Sequence, residues 1–337
     1  MSRILLAFYS LIISIMALGI HEAGHAIIGS FLGYDFRELT FFGIVVYKDD
    51  SKIKIKIDKN KINIANCIMI FPSRLNRRKY ILYVLGGVLA TLVVSLVLII
   101  VSFLLPSNFL IISPIALFLM ISIYPLIPII WKNHGLSDGM QILITLKYKD
   151  SLCVISMMHS LTRNLSQGIR YSELDSEILN SVQNLHLPIY YKNALASYIA
   201  AIKYDMGEHM LSYHEVLTID TTKSCYISIR NYVNLSLLYY YTIHEPHYNK
   251  AKEIYANKSF QLYLAKTISL DATSARVYSA YSYFIEGDKE KGKHFLMKTF
   301  EILESKAYEK VYGMKLMELD YCSKLHEIIK AEERLNE

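Results

Sequence analysis

Three long apolar runs crowd the first part of the chain: Ile4–Gly33, Tyr80–Leu105 and Phe109–Ile130. Each is long enough to cross about 30 Å of hydrocarbon at about 1.5 Å per residue, so the pattern predicts three spanning helices. Residues 34–79, between the first two runs, follow a different rhythm. "SKIKIKIDKNKINI" alternates polar and apolar side chains with period two, which predicts a half-buried strand. "ELTFFGIVVY" before it reads as a partner strand, with "KDDS" as the turn. The expected product is a small sheet lying on the membrane surface with its isoleucines down. Its functional alternative is a sheet edge that pairs with an extended peptide.

From about residue 187 the pattern changes again. "YIAAIKYDMGEHMLSYHEVL", "LLYYYTIHEPHYNKAKEIYA" and "AYSYFIEGDKEKGKHFLMKTFEIL" each read as a Tyr/Ala-rich helix, a short polar turn and an amphipathic helix. Their turns fall near Gly207, Glu245 and Gly287, a spacing of roughly forty residues that belongs to helical repeat arrays. Such arrays stack helix pairs around small residues, here Ala196, Ala200 and Ala280, and "ELDYCSKLHEIIKAEERLNE" reads as a polar-faced closing helix. The Tyr and Ala stripes are expected in the core. His209, His214, His244 and His247 lack the spacing of a zinc site and read as surface or core residues. The concave face of the array suits a cytosolic protein or peptide.

The fold expected from these patterns is mainly α. A three-helix membrane core with a β insertion at 34–79 occupies residues 1–148, a helical connection 149–186, and a cytosolic helical repeat domain 187–337. Composition agrees: 53% of the residues are hydrophobic and the mean hydropathy is +0.26, high for a protein that never meets lipid. The net charge of +6 is modest, and eleven basic residues from Arg37 to Lys79 lie between the first two apolar runs. The opposite turn, "PSN" at 106–108, has none. That asymmetry is the signature of membrane orientation and needs no nucleic acid. It predicts a multi-pass protein of the cell membrane with loop 34–79 and the region after residue 146 in the cytoplasm, and the N-terminus outside. A cleaved signal peptide is not expected, because the first apolar run continues through its histidines and further spans follow. The four cysteines are scattered without a C-x-x-C pair, so neither a disulfide framework nor a thiolate zinc site is indicated.

One stretch of the first run needs a chemical explanation. "LGIHEAGHAIIG" places His21, Glu22 and His25 where only apolar residues are expected, and a charge at the centre of a membrane helix costs about 2.5–3.5 kcal/mol. His21 and His25 are one helical turn apart, so both project from one face and can share a metal. Glu22 sits beside them as a general base for water. A catalytic zinc needs a third protein ligand. "YPLIPIIWKNHGLSDGMQIL" supplies it: Pro125 and Pro128 interrupt the third span, and Asp138-Gly139 stands where a helical pattern resumes. His134 is a second candidate for the same position.

Over residues 1–148 these features resemble the site-2 proteases, the intramembrane zinc metalloproteases. "HEAGH" matches that family's H-E-x-x-H, "SDG" its later aspartate-glycine motif, and "SRLNRRKYILYVLGGVLAT" its middle core helix. The resemblance implies one zinc per chain held by His21, His25 and Asp138, with Glu22 as catalytic base. It also implies cleavage of a transmembrane or membrane-associated protein or peptide. The match departs at Thr91, where the family has asparagine, at Gly86-Gly87-Val88 in place of Ala-Gly-Pro, and at Pro125-Leu-Ile-Pro128 in place of Asn-x-x-Pro. Thr91 and Asn133 are then the candidates for orienting the substrate. Residues 187–337 resemble a degenerate tetratricopeptide array. The alternative function is a proteolytically inactive, membrane-anchored repeat protein that binds peptide or protein partners.

Overall fold

In the computed structural model the first helix, α1 (Arg3–Phe31), runs for 29 residues without a break. It stops at Gly33, whose φ of +84° lets the Tyr34 amide reach back to the Gly29 carbonyl (2.9 Å) and the Gly33 amide to Ser30 (3.0 Å). Those two bonds make a Schellman stop. The structure describes residues 3–49, 52–58, 65–72, 74–104, 109–131, 135–174, 182, 185–222, 227–309 and 311–336. It is mainly α-helical with a small antiparallel sheet, and the chain divides into two compact units, Met1–His159 and Ser160–Glu337.

Four strands follow α1: β1 (Asp35–Phe41), β2 (Ile44–Asp49), β3 (Lys52–Ile57) and β4 (Ala65–Ile70), in spatial order β3-β2-β1-β4. The single strand expected at "ELTFFGIVVY" is two strands. Phe42 and Gly43 both take positive φ (48° and 81°), the two-residue turn that suits the twist of a hairpin. β3 exposes both its lysines and its isoleucines. The sheet packs on α1 through side chains of β1 and β4: Phe41 lies against Gly19, and Met69 against Gly29.

α2 (Arg77–Leu104) begins where the Asn76 side chain accepts from the amides of Arg78 (3.0 Å) and Lys79 (3.2 Å). α3 (Phe109–Ile123) is shorter than the third span expected. Its 15 residues cover only about 22 Å, and a 3₁₀ turn containing Pro125 (Tyr124–Leu126) closes it before Ile130. By length and composition two helices can cross a membrane, over Ala7–Phe31 and Arg77–Leu104. A two-residue ribbon, β5 (Ile130–Trp131) with β6 (Gly135–Leu136), leads into α4 (Asp138–Lys147) and then α5 (Ser151–Ser166).

The second unit is helical throughout its described residues. Its elements are α6 (Ile189–Asp205), α7 (His209–Leu217), α8 (Ile227–Tyr239), α9 (Tyr248–Tyr255), α10 (Lys258–Thr267), α11 (Ala272–Tyr281), α12 (Lys289–Leu303), α13 (Lys306–Glu309) and α14 (Tyr312–Asn336). Chain reversals fall at Gly207, Glu245 and Gly287; the two glycines have φ of +82° and +76°. α8 and α11 each end in one π-helical turn, Tyr240–His244 and Ser282–Glu286, at matching places in successive pairs. α10 interrupts the simple pairing read from the sequence. The core is tyrosine and alanine: Tyr239, Tyr281 and Tyr283 pack with Ala251, Ala275 and Ala280. α14 does more than close the array. Its Tyr321 hydroxyl donates to Asp205 of α6 (2.8 Å), and Arg170 bridges Asp205 (2.6 Å) and Asp320 (3.0 Å), so the first and last helices of the array are tied together.

Candidate metal centre

The lower turns of α1 lie against α2 with almost nothing between them. A Cβ on Gly24 would run into the Gly86 carbonyl, and one on Gly86 would stand 2.7 Å from the Gly24 carbonyl oxygen. Small residues are the usual means of bringing two helices this close. One position further on, a Cβ on Gly87 would stand 2.6 Å from His21 Nε2 and 2.7 Å from His25 Nε2. The Gly86-Gly87 pair, a departure from the site-2 protease pattern, therefore has a steric role here: one glycine admits the helix and the other admits the imidazoles.

Asp138 arrives from the far side through a tightly stitched turn. The Ser137 hydroxyl donates to the Ile127 carbonyl (2.7 Å) and accepts from the amides of Ile129 (3.0 Å) and Met140 (3.2 Å), which caps α4 and holds the ribbon beneath it. Gly139 is required by contact, since any Cβ there would overlap the Leu126 carbonyl. α2 holds the rest of α4: Tyr80 donates to the Gln141 side-chain oxygen (2.9 Å) and Arg77 to the Leu146 carbonyl (2.7 Å).

These constraints bring together three buried side chains far apart in sequence. His21 Nε2 is 3.1 Å from Asp138 Oδ2, His25 Nε2 is 3.3 Å from His21 Nε2, and His25 Nε2 is 3.4 Å from the same Asp138 oxygen. Ligand atoms held tetrahedrally at zinc bond lengths of about 2.0–2.1 Å stand about 3.3 Å apart. The triangle thus has the size of one face of a zinc tetrahedron, and the donor set fits that metal. His25 Nδ1 donates to the Tyr83 carbonyl (3.0 Å), which fixes the tautomer and presents Nε2 as the ligand. Among the described residues this is the group of His, Cys, Asp or Glu side chains that can hold a metal.

Glu22 follows His21 on the same helix, half-buried, with the Cys67 backbone amide beside its carboxylate. Cys67 belongs to β4, an edge strand of the sheet. Burial, with Glu22 adjacent, pushes the Cys67 thiol up to about 12, so it stays neutral. Thr91 lies one turn along α2 from Gly87 and is fully buried. Its hydroxyl donates to the Gly87 and Val88 carbonyls (3.1 and 3.0 Å) and accepts from Ser122 of α3 (2.8 Å), so its hydrogen bonds are spent inside the helix bundle. Asn133 and His134 lie outside the described residues. Sequence reasoning missed Gly87, Ser137, Tyr83 and Gln141. Ser137 carried a signal, a serine before Asp-Gly at the start of a helical pattern; the Tyr83 carbonyl carried none.

No protein-family model, curated protein or solved structure matches the chain.

Proposed function

We propose that this protein is an intramembrane zinc endopeptidase that cleaves a transmembrane or membrane-associated protein or peptide. The observation that carries the reading is the triangle of His21 Nε2, His25 Nε2 and Asp138 Oδ2, zinc-sized and buried, with Glu22 next in sequence to one of its corners. His21, His25 and Asp138 hold the metal. When bound, zinc supplies a Lewis acid that lowers the pKa of water from 15.7 to about 7. Glu22 takes the proton of the attacking water and returns it to the leaving amine nitrogen. The peptide C–N bond breaks as the new C–O bond is completed, and Glu22 ends as it began. The Tyr83 carbonyl keeps His25 oriented throughout.

A membrane-spanning substrate hides its carbonyls in helical hydrogen bonds and has to unwind before attack. β4 supports this step: among the described residues it pairs with β1 alone, and its Cys67 amide lies beside Glu22, so an extended segment can add to its outer edge. In this reading α1, α2 and the shorter apolar α3 with its closing turn cross the bilayer, with the N-terminus outside and the basic 34–79 loop in the cytoplasm. The tetratricopeptide-like array, on the cytoplasmic side, receives a protein or peptide partner.

The test is comparative membrane proteomics of cells expressing the wild type or Glu22→Gln. Membrane-protein fragments present with the wild type and missing with the variant are expected, and would name the substrates. Indistinguishable fragment profiles, together with purified wild-type protein that takes up no zinc, would remove the proposal.

A further inference from the structure

The second unit holds a partly open cavity of about 180 Å³ lined from α6, α7, α8, α11 and α14. An apolar cavity of about 150 Å³ already takes up benzene, so this one has room for a ring-sized group. Its walls are the faces of tyrosines, among them Tyr204, Tyr232 and Tyr240, with Met314 and Met317 from α14. Aromatic faces and thioethers favour an apolar or aromatic occupant.

The polar part of the lining is unusual. Arg276, only 4% exposed, gives Nε and Nη2 to Glu318 (2.8 and 3.4 Å), and Thr273 adds a third donor to the same carboxylate (2.6 Å). The guanidinium lies over the Tyr239 and Tyr321 rings, 4.4 and 5.1 Å from their centroids. One edge is therefore occupied, and its charge is balanced. What remains is Nη1, buried without a hydrogen-bond partner; His209 Nδ1, also on the lining residues, is in the same condition. An unpaired buried donor costs about 1–3 kcal/mol, so such groups call for an acceptor. Since Glu318 already neutralises the arginine, a second anion would bury a surplus charge, whereas a carbonyl oxygen would not. The neighbouring histidines do not alter that balance: burial pulls His244, stacked on His209 at 4.0 Å, down to about 4, leaving it neutral near pH 7.

We infer that this cavity is a binding site for an uncharged apolar acyl compound, which seats one ring- or branch-sized group among the tyrosines and gives its carbonyl oxygen to Arg276 Nη1. The chemistry is shared by an amide-capped apolar peptide end and by a free fatty amide. The site is independent of the peptidase reading, because every residue named belongs to the second unit.

The experiment is hydrogen-exchange mass spectrometry on the full-length chain in nanodiscs, with N-acetyl-phenylalaninamide, hexanamide and the free acid N-acetyl-phenylalanine as probes. Saturable protection of Tyr232–Tyr240 and Met314–Tyr321 by an amide probe is expected below about 10 mM. Protection by the phenylalaninamide assigns a peptide-like source; protection by hexanamide alone assigns a free acyl source. The free acid should bind at least roughly tenfold more weakly, because it would bury a second negative charge. Ser236→Trp, which fills the cavity, should abolish protection. Arg276→Met with Glu318→Met removes the pair together and should weaken binding by roughly tenfold, the value of one hydrogen bond to a charged group. No protection by either amide, equal affinity for the free acid, or unchanged protection in both variants would overturn the proposal.

Discussion

In the first unit the buried ionisable groups turn electron-donating atoms toward one another: two imidazole nitrogens and a carboxylate oxygen within 3.1–3.4 Å. In the second, Arg276 and Glu318 meet as donor and acceptor, and the arginine lies over the Tyr239 and Tyr321 rings. The first arrangement is complementary to a cation. The second is complete in charge and short only of a neutral acceptor. The same cost, burial of ionisable groups, thus points to opposite classes of ligand, and the residue types alone do not reveal which. Glycine makes a parallel contrast. Gly24, Gly86, Gly87 and Gly139 are required by contact, with neighbours standing where a Cβ would go. Gly207 and Gly287 have open space around them and are required by backbone conformation, since φ is positive at both.

The sharpest way to break this comparison is at the metal centre. His21→Ala and Asp138→Ala should each lower zinc from near one per chain to a small fraction and abolish cleavage. Glu22→Gln should keep its zinc and lose roughly 10²–10⁴ in turnover, as expected for a missing general base. Metal analysis of the three purified variants beside cleavage assays checks this. A fully loaded Asp138→Ala would transfer attention to His134.

In the second unit, Arg276→Met should destabilise by about 3–5 kcal/mol because Glu318 is left buried and alone, while Arg276→Met with Glu318→Met should be close to neutral. Chemical unfolding of the full-length chain, followed by tyrosine fluorescence, separates the two. If the double variant is as unstable as the single, the pair contributes packing that the charge argument omits.

The glycine contrast predicts a smaller effect. Asparagine tolerates positive φ but has a Cβ. Gly207→Asn should therefore shift stability by no more than about 0.5 kcal/mol, whereas Gly139→Ala should cost about 1–3 kcal/mol and reduce zinc occupancy, since Leu126 has to move. Thermal unfolding and metal content of each variant are the measurements.

A further effect appears only on acidification. Burial, with His209 and Arg276 nearby, lowers His244 from an ordinary value of 6.5 to about 4. Tyr204, at 3.1 Å, and the rings of Tyr239 and Tyr240 surround it, and Lys324 lies near His209. The unfolded chain binds the proton first, so the contribution to stability is whole above about pH 6.5 and declines as pH falls toward about 4. Hydrogen exchange of residues 227–247 should accelerate over that interval, and less so in His244→Phe.

Much of the layout was legible because it is local. His21 and His25 are a helical turn apart, Ser-Asp-Gly marks the start of α4, and the reversals at Gly207, Glu245 and Gly287 are marked by turn residues between amphipathic stretches. The rest depended on partners distant in sequence. His21 and Asp138 are 117 residues apart, and their approach depends on the contacts of Gly24, Gly86 and Gly139, which look in sequence like ordinary helix-weakening glycines. Alternation in "KIKIKI" reports a strand but not what covers each of its faces. The end of α3 was obscured by apolar residues continuing past the proline turn, and α10 and the two π turns by helix-forming sequence on either side. The bond from Arg170 to both aspartates joins residues up to 150 positions apart, which no periodicity encodes.

Trp131 is the one tryptophan in a chain with 27 tyrosines, and it stands in β5, paired with Gly135 in the ribbon that Ser137 clasps at the head of α4. Red-edge excitation therefore isolates emission from this single hairpin, with no label and no mutation. Because the same clasp positions Asp138, metal titrated into the stripped protein should change that emission until it saturates at one equivalent, and leave it unchanged in Asp138→Ala.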